Sequence, residues 1–392
     1  MKTKIIICLL LGMLLSGSGA TNIFKMISVD LVPTGFVVRW NSTLGKTYAV
    51  MTTDNLMSNS WQIAVNGTNA NYQSIVKAAA DGELEYIDQD GITGTNRFYK
   101  LVAYDVPDKM VLIPGGMNSG TNYLVAGDIY YDWYPSSYSL TCAFFYMDRT
   151  EVTNDEMIRV MQWAYDNGKL IVSSISVKNA QGNQQELLDL DASYCRITWS
   201  GSTFGVKSTK GSGYPCVEVS WYGSLAYCNY RSEMDGRTPC YNLSDWSCNT
   251  SANGYRLPSS SEWEYAARGG LISKRFPWGD TIDHNKANYY SVWVNGSPMY
   301  SYDVNSTDGY HPAYYDGEYP YTSPVESFAP NGYGLYDMAG NVAEWCNTTS
   351  GVKRVVLGGN WFSYPNYVRC GREYSYNPIS TDWSIGLRPI CR

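Results

Sequence analysis

Residues 330–345 read Pro330-Asn-Gly-Tyr-Gly-Leu-Tyr-Asp-Met-Ala-Gly-Asn-Val-Ala-Glu-Trp345. Asn331-Gly332 is a turn signal, because asparagine bonds its own backbone and glycine accepts a positive φ. Gly340 and Asn341 are expected at backbone angles that other residues resist. The stretch therefore speaks first to fold and only then to chemistry. Its surroundings, rich in Gly, Asn, Tyr and Pro, read as a loop-dominated body.

Working outward, three short helices are expected. Thr153, with Glu156 three residues on, forms a capping box. Met157, Val160, Met161 and Ala164 then share one face, and Gly168 ends the run. A second helix is expected from near Ser220 to Gly236, with Leu225 and Cys228 inward. A third opens at Ser259, with Glu262 as box partner, and stops at Gly269-Gly270. Residues 170–212 read as an insertion between the first two. A few short helices pinned to such a body make residues 110–392 an α+β domain.

Residues 23–106 have another texture. Phe36-Val37-Val38-Arg39-Trp40, Tyr48-Ala49-Val50-Met51, the alternating Trp61, Ile63 and Val65, and Phe98-Tyr99 with Leu101-Val102 are short apolar runs set off by turn residues. That is the pattern of an all-β sandwich. Pro107-Asp108 marks a linker. At the N-terminus Lys2 and Lys4 precede an apolar run from Ile5 to Leu15, followed by Ser16-Gly-Ser-Gly-Ala20. This is the plan of a signal peptide, residues 1–20, cleaved after Ala20. As a helix the run spans about 16 Å, too short for a bilayer. Export is expected, to the medium, the periplasm or the cell surface.

Hydrophobic residues make up 44% of the chain and charged residues 17%, which excludes a disordered protein. A net charge of −7, without a dense Lys/Arg stripe, argues against nucleic acid. The 35 Tyr and 13 Trp offer large faces with polar edges, suited to ligand surfaces as well as to cores. Ten cysteines less Cys8 of the leader form no C-x-x-C pair, so zinc ribbons and thioredoxin-like motifs are out. An oxidising compartment predicts that most of them pair. Cys240 and Cys248 are expected to close a small loop.

A set of ordered stretches resembles the formylglycine-generating enzyme (sulfatase-modifying factor, FGE-sulfatase) family. They are Met110-Val-Leu-Ile-Pro-Gly-Gly116, Phe145-Tyr-Met-Asp-Arg-Thr-Glu-Val-Thr-Asn154, Val217-Glu-Val-Ser-Trp221, Tyr255-Arg-Leu-Pro258 and Glu262-Trp-Glu-Tyr-Ala-Ala-Arg-Gly-Gly270. Phe276-Pro-Trp-Gly279, the 330–345 stretch, Gly358-Gly-Asn-Trp361 and Gly386-Leu-Arg388 complete it, in the family's order. The resemblance implies a variant of the C-type lectin fold. The expected fold class is then α+β: an all-β sandwich, similar by pattern to fibronectin III modules, followed by a loop-rich FGE-sulfatase (C-type-lectin-like) domain.

The resemblance also implies chemistry. Family enzymes oxidise a substrate cysteine with copper held by two thiolates, which suit Cu(I) because both are soft. Here Ser363 stands at the first of those cysteines and Val368 at the second. No catalytic residue carries over, and copper is not expected. Cys370 instead matches a structural position, with Cys228 as partner, and Cys216–Cys391 is a second expected pairing. Two calcium sites are implied as well. Asn288 and Asp308 would give side chains to one, with the Tyr289 and Tyr310 carbonyls. Asn341 and Glu344 would serve the other, with carbonyls from Gly340 to Val342. Hard cations take such oxygens; the plainer reading is that Asn341 and Glu344 satisfy backbone N–H groups. His284 and His311 flank the first set, but without a two-His-one-carboxylate spacing they read as surface loop residues.

Trp361, Phe362, Tyr364, Tyr367, Tyr374, Tyr376, Asn377 and Trp383 form a tract of the kind that lectin-fold relatives display to ligands. Rigid rings give contact area at low entropic cost, and asparagine gives adaptable hydrogen bonds. The expected function is a secreted, non-catalytic member binding a protein or glycan. The alternative is an oxidase acting through an altered site.

Overall fold

The computed structural model describes the strands between residues 26 and 104, residues 106–121 and residues 137–392. The leader, residues 1–20, lies outside the described residues, as do Trp61 and Val65. The chain divides into two compact units, Met1–Gly116 and Met117–Arg392. The division falls beyond the Pro107-Asp108 linker.

In the first unit the described elements are strands. Met26–Val32, Gly35–Ser42 and Gly82–Asp88 form one antiparallel sheet with Gly35–Ser42 central. In the other sheet Thr47–Thr53 pairs with Gln62–Ile63, Ile75–Lys77 and Phe98–Tyr104. Val38, Trp40, Tyr48 and Val50 are buried, and the Trp40 and Tyr48 rings meet across the two sheets at 6.0 Å. The strands read from sequence are those that carry these side chains. The two outer strands of the first sheet were not anticipated. Edge strands carry charges such as Glu83 and Glu85, which weaken the apolar signal.

In the second unit all three expected helices form: α1 (Asn154–Asp166), α2 (Trp221–Met234) and α3 (Ser260–Ala267). Thr153 and Ser259 close reciprocal boxes with Glu156 and Glu262, so both helix starts are fixed by side chains three residues apart. Ser220 caps α2, whose surface is buried nearly all round. The 170–212 insertion is ordered. It carries a three-stranded antiparallel sheet, Leu170–Val172, Ser176–Asn179 and Glu186–Asp189, and a hairpin of Ile197–Trp199 with Phe204–Val206.

The central sheet runs Tyr374–Tyr376, Lys353–Leu357, Ala343–Ser350, Ile385–Gly386, the last pair parallel. Two tryptophans lock α2 to it by exchanging bonds. Trp221 Nε1 donates to the Cys346 carbonyl and Trp345 Nε1 to the Val219 carbonyl, each at 3.0 Å.

Beneath this sheet Arg388 is fully buried. Its Nε donates to Glu344 Oε1 at 2.9 Å, Nη2 to the Tyr336 carbonyl at 2.8 Å and Nη1 to the Asp148 carbonyl at 3.2 Å. Glu344 also accepts from Trp263 Nε1 of α3 at 2.5 Å. Glu151 Oε2 lies 3.7 Å from the same guanidinium. Three segments, 148–151, Tyr336 and Glu344, thus converge on one cation, and α3 joins them through Glu344. Replacing Arg388 with Met leaves buried carboxylates without a counter-charge and is expected to cost about 3–5 kcal/mol. Urea unfolding measures it; a loss under about 1 kcal/mol, the range of exposed pairs, would show that the cation does not organise the core.

Candidate functional site

The Gly358-Gly359-Asn360-Trp361 loop leaves the central sheet through two positive-φ glycines. At Gly359 (φ 64°) a Cβ would stand 2.7 Å from the Val368 side chain and 2.8 Å from the Tyr367 carbonyl, so the loop folds tightly on itself only with glycine there. Asn341, also left-handed at φ 60°, holds the loop in place. Its carbonyl accepts from Trp361 N at 2.9 Å, and its own N–H donates to the Asn288 carbonyl at 2.8 Å. Its side chain accepts from Ser323 N at 2.9 Å and donates to Glu151 Oε1 at 3.1 Å. Gly340 beside it could take no Cβ, which would lie 2.2 Å from the Asn288 carbonyl oxygen.

These bonds seat Trp361, fully buried, at the centre of a ring cluster. Trp383 lies 4.8 Å from it between centroids, Tyr321 5.2 Å, Tyr310 and Tyr319 5.6 Å, and Phe362 5.9 Å. Tyr194, from the insertion, touches Trp383 at 5.7 Å and Tyr319 at 5.8 Å. Tyr290 packs on Tyr310 at 4.7 Å and links to Tyr364 at 5.6 Å. Phe362 is 50% exposed, Tyr319 39% and Tyr364 38%, so the cluster is a platform open to solvent above a buried floor. Trp361 Nε1 has no acceptor among the described residues. Burial pushes the Tyr310 phenol well above its usual range, and a hydrogen bond with Tyr319 adds to this, so it stays neutral.

The insertion braces the platform. Lys210, buried, donates from Nζ to Asp316 Oδ1 at 2.9 Å and to the Glu318 and Pro320 carbonyls at 2.6 and 2.9 Å. It sits 5.4 Å from the Tyr321 ring. Arg196 donates to the Tyr319 carbonyl. Both cations thus fix the turn that presents Tyr319 and Tyr321.

Of the eight ligand residues expected from sequence, Trp361, Phe362, Tyr364 and Trp383 enter the platform. Tyr367 and Tyr374 form an adjoining stack with Arg372, joined through Tyr364 at 6.1 Å. Tyr376 packs inward against Trp345 at 6.3 Å, and Asn377 accepts from Ile379 N within its own turn. Tyr194, Tyr290, Tyr319 and Tyr321 were missed, and Tyr310, a ring of the platform, was expected only as a carbonyl donor to calcium. The tyrosine-dense run from Tyr310 to Tyr321 was the available signal.

Ser363 Oγ donates to Asn360 Oδ1 at 3.1 Å and accepts from Asn360 N at 3.0 Å, and Val368 is buried. At the two positions where the resemblance would place thiolates, the side chains are thus a half-buried hydroxyl bonded within its own turn and a buried apolar group. Cys195 and Cys216 are electrostatic neighbours in the interior. Burial pushes both thiols up, Cys195 to about 11, and each sulfur contacts a carbonyl, of Ile197 and Val217. Burial thus favours the thiol over the thiolate at both.

The expected bridges are corrected. Cys216, Cys228, Cys240, Cys248 and Cys370 are unbonded, so Cys228–Cys370, Cys240–Cys248 and Cys216–Cys391 are not formed. Cys228 neighbours Cys240 and Cys248, whereas Cys370 neighbours Arg268 and Glu264. Cys240 Sγ donates to the Gly254 carbonyl at 3.4 Å, and Cys248 interacts with the Tyr241 hydroxyl.

The calcium sets differ in fit. Asn288, Tyr289, Asp308 and Tyr310 offer oxygen donors of the hard type, although Asp308 Oδ1 holds Trp293 N at 2.9 Å, and His284 Nε2 sits 3.2 Å from the Tyr289 carbonyl. The Asn341–Glu344 set does not fit a cation. Glu344 is filled by Arg388 and Trp263, and Asn341 by Ser323 and Glu151. The plainer reading was nearer, with side chains among the partners as well as backbone N–H. His284 is buried rather than on the surface, and its ring lies 5.0 Å from that of His311. Their nitrogens meet carbonyls, Asn305 and the Ala313 N–H, and no carboxylate joins them among the described residues.

Residues 100–392 match the family model described as a sulfatase-modifying factor enzyme 1-like domain. The formylglycine-generating enzyme of Mus musculus is 30% identical over 197 residues, 45% of this chain and 44% of that protein, so the match spans under half of the relative. That of Bos taurus is 27% identical over 314 residues, 72% of this chain and 74% of the relative. The chaperone protein LppX of Paenibacillus barcinonensis is 32% identical over 206 residues, 46% and 71%.

The carboxylates around Arg388 outnumber it, and this has a consequence for pH. Burial pushes Asp337 up to about 7, with Glu344 and Glu326 adding to the rise against the pull of Arg388, and pushes Glu151 well above its usual range. The folded protein then holds the Asp337 proton more tightly than the unfolded chain. Its contribution is complete below about pH 4 and is lost as pH rises through about 7. Asp337→Asn keeps a residue tolerant of the left-handed φ of 56°. It is expected to flatten the fall in unfolding free energy between pH 5 and 7 by about 1 kcal/mol per pH unit. Parallel slopes for the two proteins would remove Asp337 from the account.

Proposed function

Because the chain belongs to the sulfatase-modifying factor enzyme 1-like family, we propose that it is a secreted, non-catalytic member. It uses the family's scaffold to bind a protein or glycan partner on the platform around Trp361. The observation that carries this reading is the pairing of an open ring cluster with thiolate positions held by Ser363 and Val368. Neutral phenols and rigid rings at a solvent-open face are the equipment of recognition. In this reading the first unit is a spacer of fibronectin III type. A calcium ion, where present, is held by Asn288, Tyr289, Asp308 and Tyr310, and a ligand of the native state raises its melting temperature. Calcium is expected to raise the melting temperature and EDTA to lower it; no shift would remove the ion.

The second reading, an oxidase with an altered site, is favoured by the 30% identity with the mouse formylglycine-generating enzyme. An oxygen electrode separates the two. With added Cu(I) and a cysteine-containing sulfatase peptide, oxygen uptake is expected to stay at background. Turnover that saturates with peptide would overturn the binding reading.

A further inference from the structure

Buried arginines of the second unit meet carboxylates: Arg231 meets Asp148, Arg256 meets Glu262, Arg268 meets Glu264 and Arg388 meets Glu344. Arg354, half-buried on the Lys353–Leu357 strand, differs. Its guanidinium lies 3.8 Å from the centroid of the Trp221 ring. Its Nη1 donates to the Asn347 carbonyl at 3.4 Å. The groups that act on it electrostatically are the phenols of Tyr222 and Tyr241, and among the described residues no carboxylate reaches it. The first turn of α2, which begins at Trp221, carries no acid either. Burial therefore lowers the Arg354 pKa from the usual guanidinium range, with the two phenols opposing.

A guanidinium keeps its proton at any ordinary pH, so this charge stays and calls for an anion. One N–H of its planar fork meets a carbonyl. The rest matches two oxygens in one plane, the geometry of a carboxylate. Charge favours a carboxylate over a phosphate group. Lys353 precedes Arg354 on the strand and so points to the other face, and no second cation acts on Arg354. One positive charge balances a monoanion and leaves a phosphate dianion half met. The guanidinium is also held ready. Trp221 beneath it is buried and fixed by its bond to the Cys346 carbonyl at 3.0 Å, and Tyr222 is backed by Trp246 at 4.7 Å. A preset donor loses little freedom on binding. Aliphatic side chains lie near it. Val352, 89% exposed, sits in the hairpin turn that leads to Arg354. Ile379, 58% exposed, follows Pro378, whose carbonyl accepts from Trp221 N at 3.1 Å. Such neighbours suit a carboxylate set among apolar side chains, as in a polypeptide, and offer nothing to the hydroxyls of a sugar acid.

We propose that Arg354, set on Trp221 at the start of α2, receives a carboxylate of a polypeptide partner, with Val352 and Ile379 taking apolar side chains next to that acid. The site shares no residue with the ring platform and does not depend on the reading given for it.

The probe is a capped pentapeptide with a central glutamate between valines, compared with its glutamine counterpart, with acetate and with inorganic phosphate. Each is titrated into the full, isotope-labelled chain while NMR follows the side-chain Nε–H resonance of Arg354, assigned by its loss in Arg354→Lys. The glutamate peptide is expected to move that resonance saturably and to bind about tenfold more tightly than the glutamine peptide, the scale of a hydrogen bond to a charged group. High salt should weaken the glutamate peptide and leave the glutamine peptide as it was. Binding to the variants is read from the Tyr222 and Val352 amides. Arg354→Lys keeps the charge without the fork and should weaken the glutamate peptide about threefold, and Arg354→Gln should bring it to the level of the glutamine peptide. Melting temperatures are expected near that of the parent. Should Arg354→Gln fail to fold, the comparison of the two peptides on the parent decides by itself. Equal binding of both peptides, or no movement of the resonance with either, overturns the proposal. Phosphate binding more tightly than the glutamate peptide overturns the choice of a carboxylate. Acetate binding as tightly as that peptide overturns the polypeptide and leaves a site for free carboxylic acids.

Discussion

A single buried guanidinium, Arg388, is the constraint from which the rest of the domain follows. It cannot be neutralised by losing its proton, so the fold must surround it with acceptors. It gathers Glu344 from the central sheet, Glu151 ahead of α1, and the carbonyls of Asp148 and Tyr336. Through Glu344 it reaches the Trp263 indole of α3. Hydrophobic residues of like volume would serve stability as well or better. A directional cation does what they cannot: it sets the positions of loops that have few regular hydrogen bonds of their own.

The same logic passes one step outward through Asn341. Its bonds join the 288, 323 and 361 segments to Glu151, and Glu151 touches Arg388. The ring platform therefore stands on a polar frame. Its faces are ordered before any partner arrives, which limits the entropy lost on binding. The insertion adds a second frame from the side. Lys210 and Arg196 hold the carbonyls of the Glu318–Pro320 turn, so that Tyr319 and Tyr321 are presented by bonds independent of Arg388.

How much of this was legible in the sequence depended on distance along the chain. The helices were legible to their caps, because a capping box is a contact between residues three apart. Left-handed backbone at Gly340 and Asn341 was legible for a similar reason, as only certain residues tolerate it. Four of the platform's nine rings were legible as a tract. The remainder was not, because Tyr194, Tyr290, Tyr319 and Tyr321 come from segments whose convergence is fixed by Asn341, Asn288 and Lys210, over long separations. The cysteine pairing expected from spacing did name neighbours, Cys240 and Cys248, but both are free thiols beside Cys228. Glu344 misled differently. A carboxylate near an asparagine reads as an oxygen-ligand set, and its true partner, Arg388, lies 44 residues on.

The stretch that announces the fold is thus nearly silent on function. In Gly340-Asn341-Val342-Ala343-Glu344-Trp345 the polar side chains are committed inward: Asn341 to Ser323 and Glu151, Glu344 to Arg388 and Trp263, Trp345 to the Val219 carbonyl. A chain could keep all of these and gain or lose any chemistry at the surface. The surface is written elsewhere, in the 358–363 loop, the tyrosine-rich turn and the 170–212 insertion. There a hydroxyl at residue 363 closes a turn with Asn360, where a thiolate would have to stay open to a metal. The hydroxyl ties the turn that carries Trp361 and Phe362 to its own backbone.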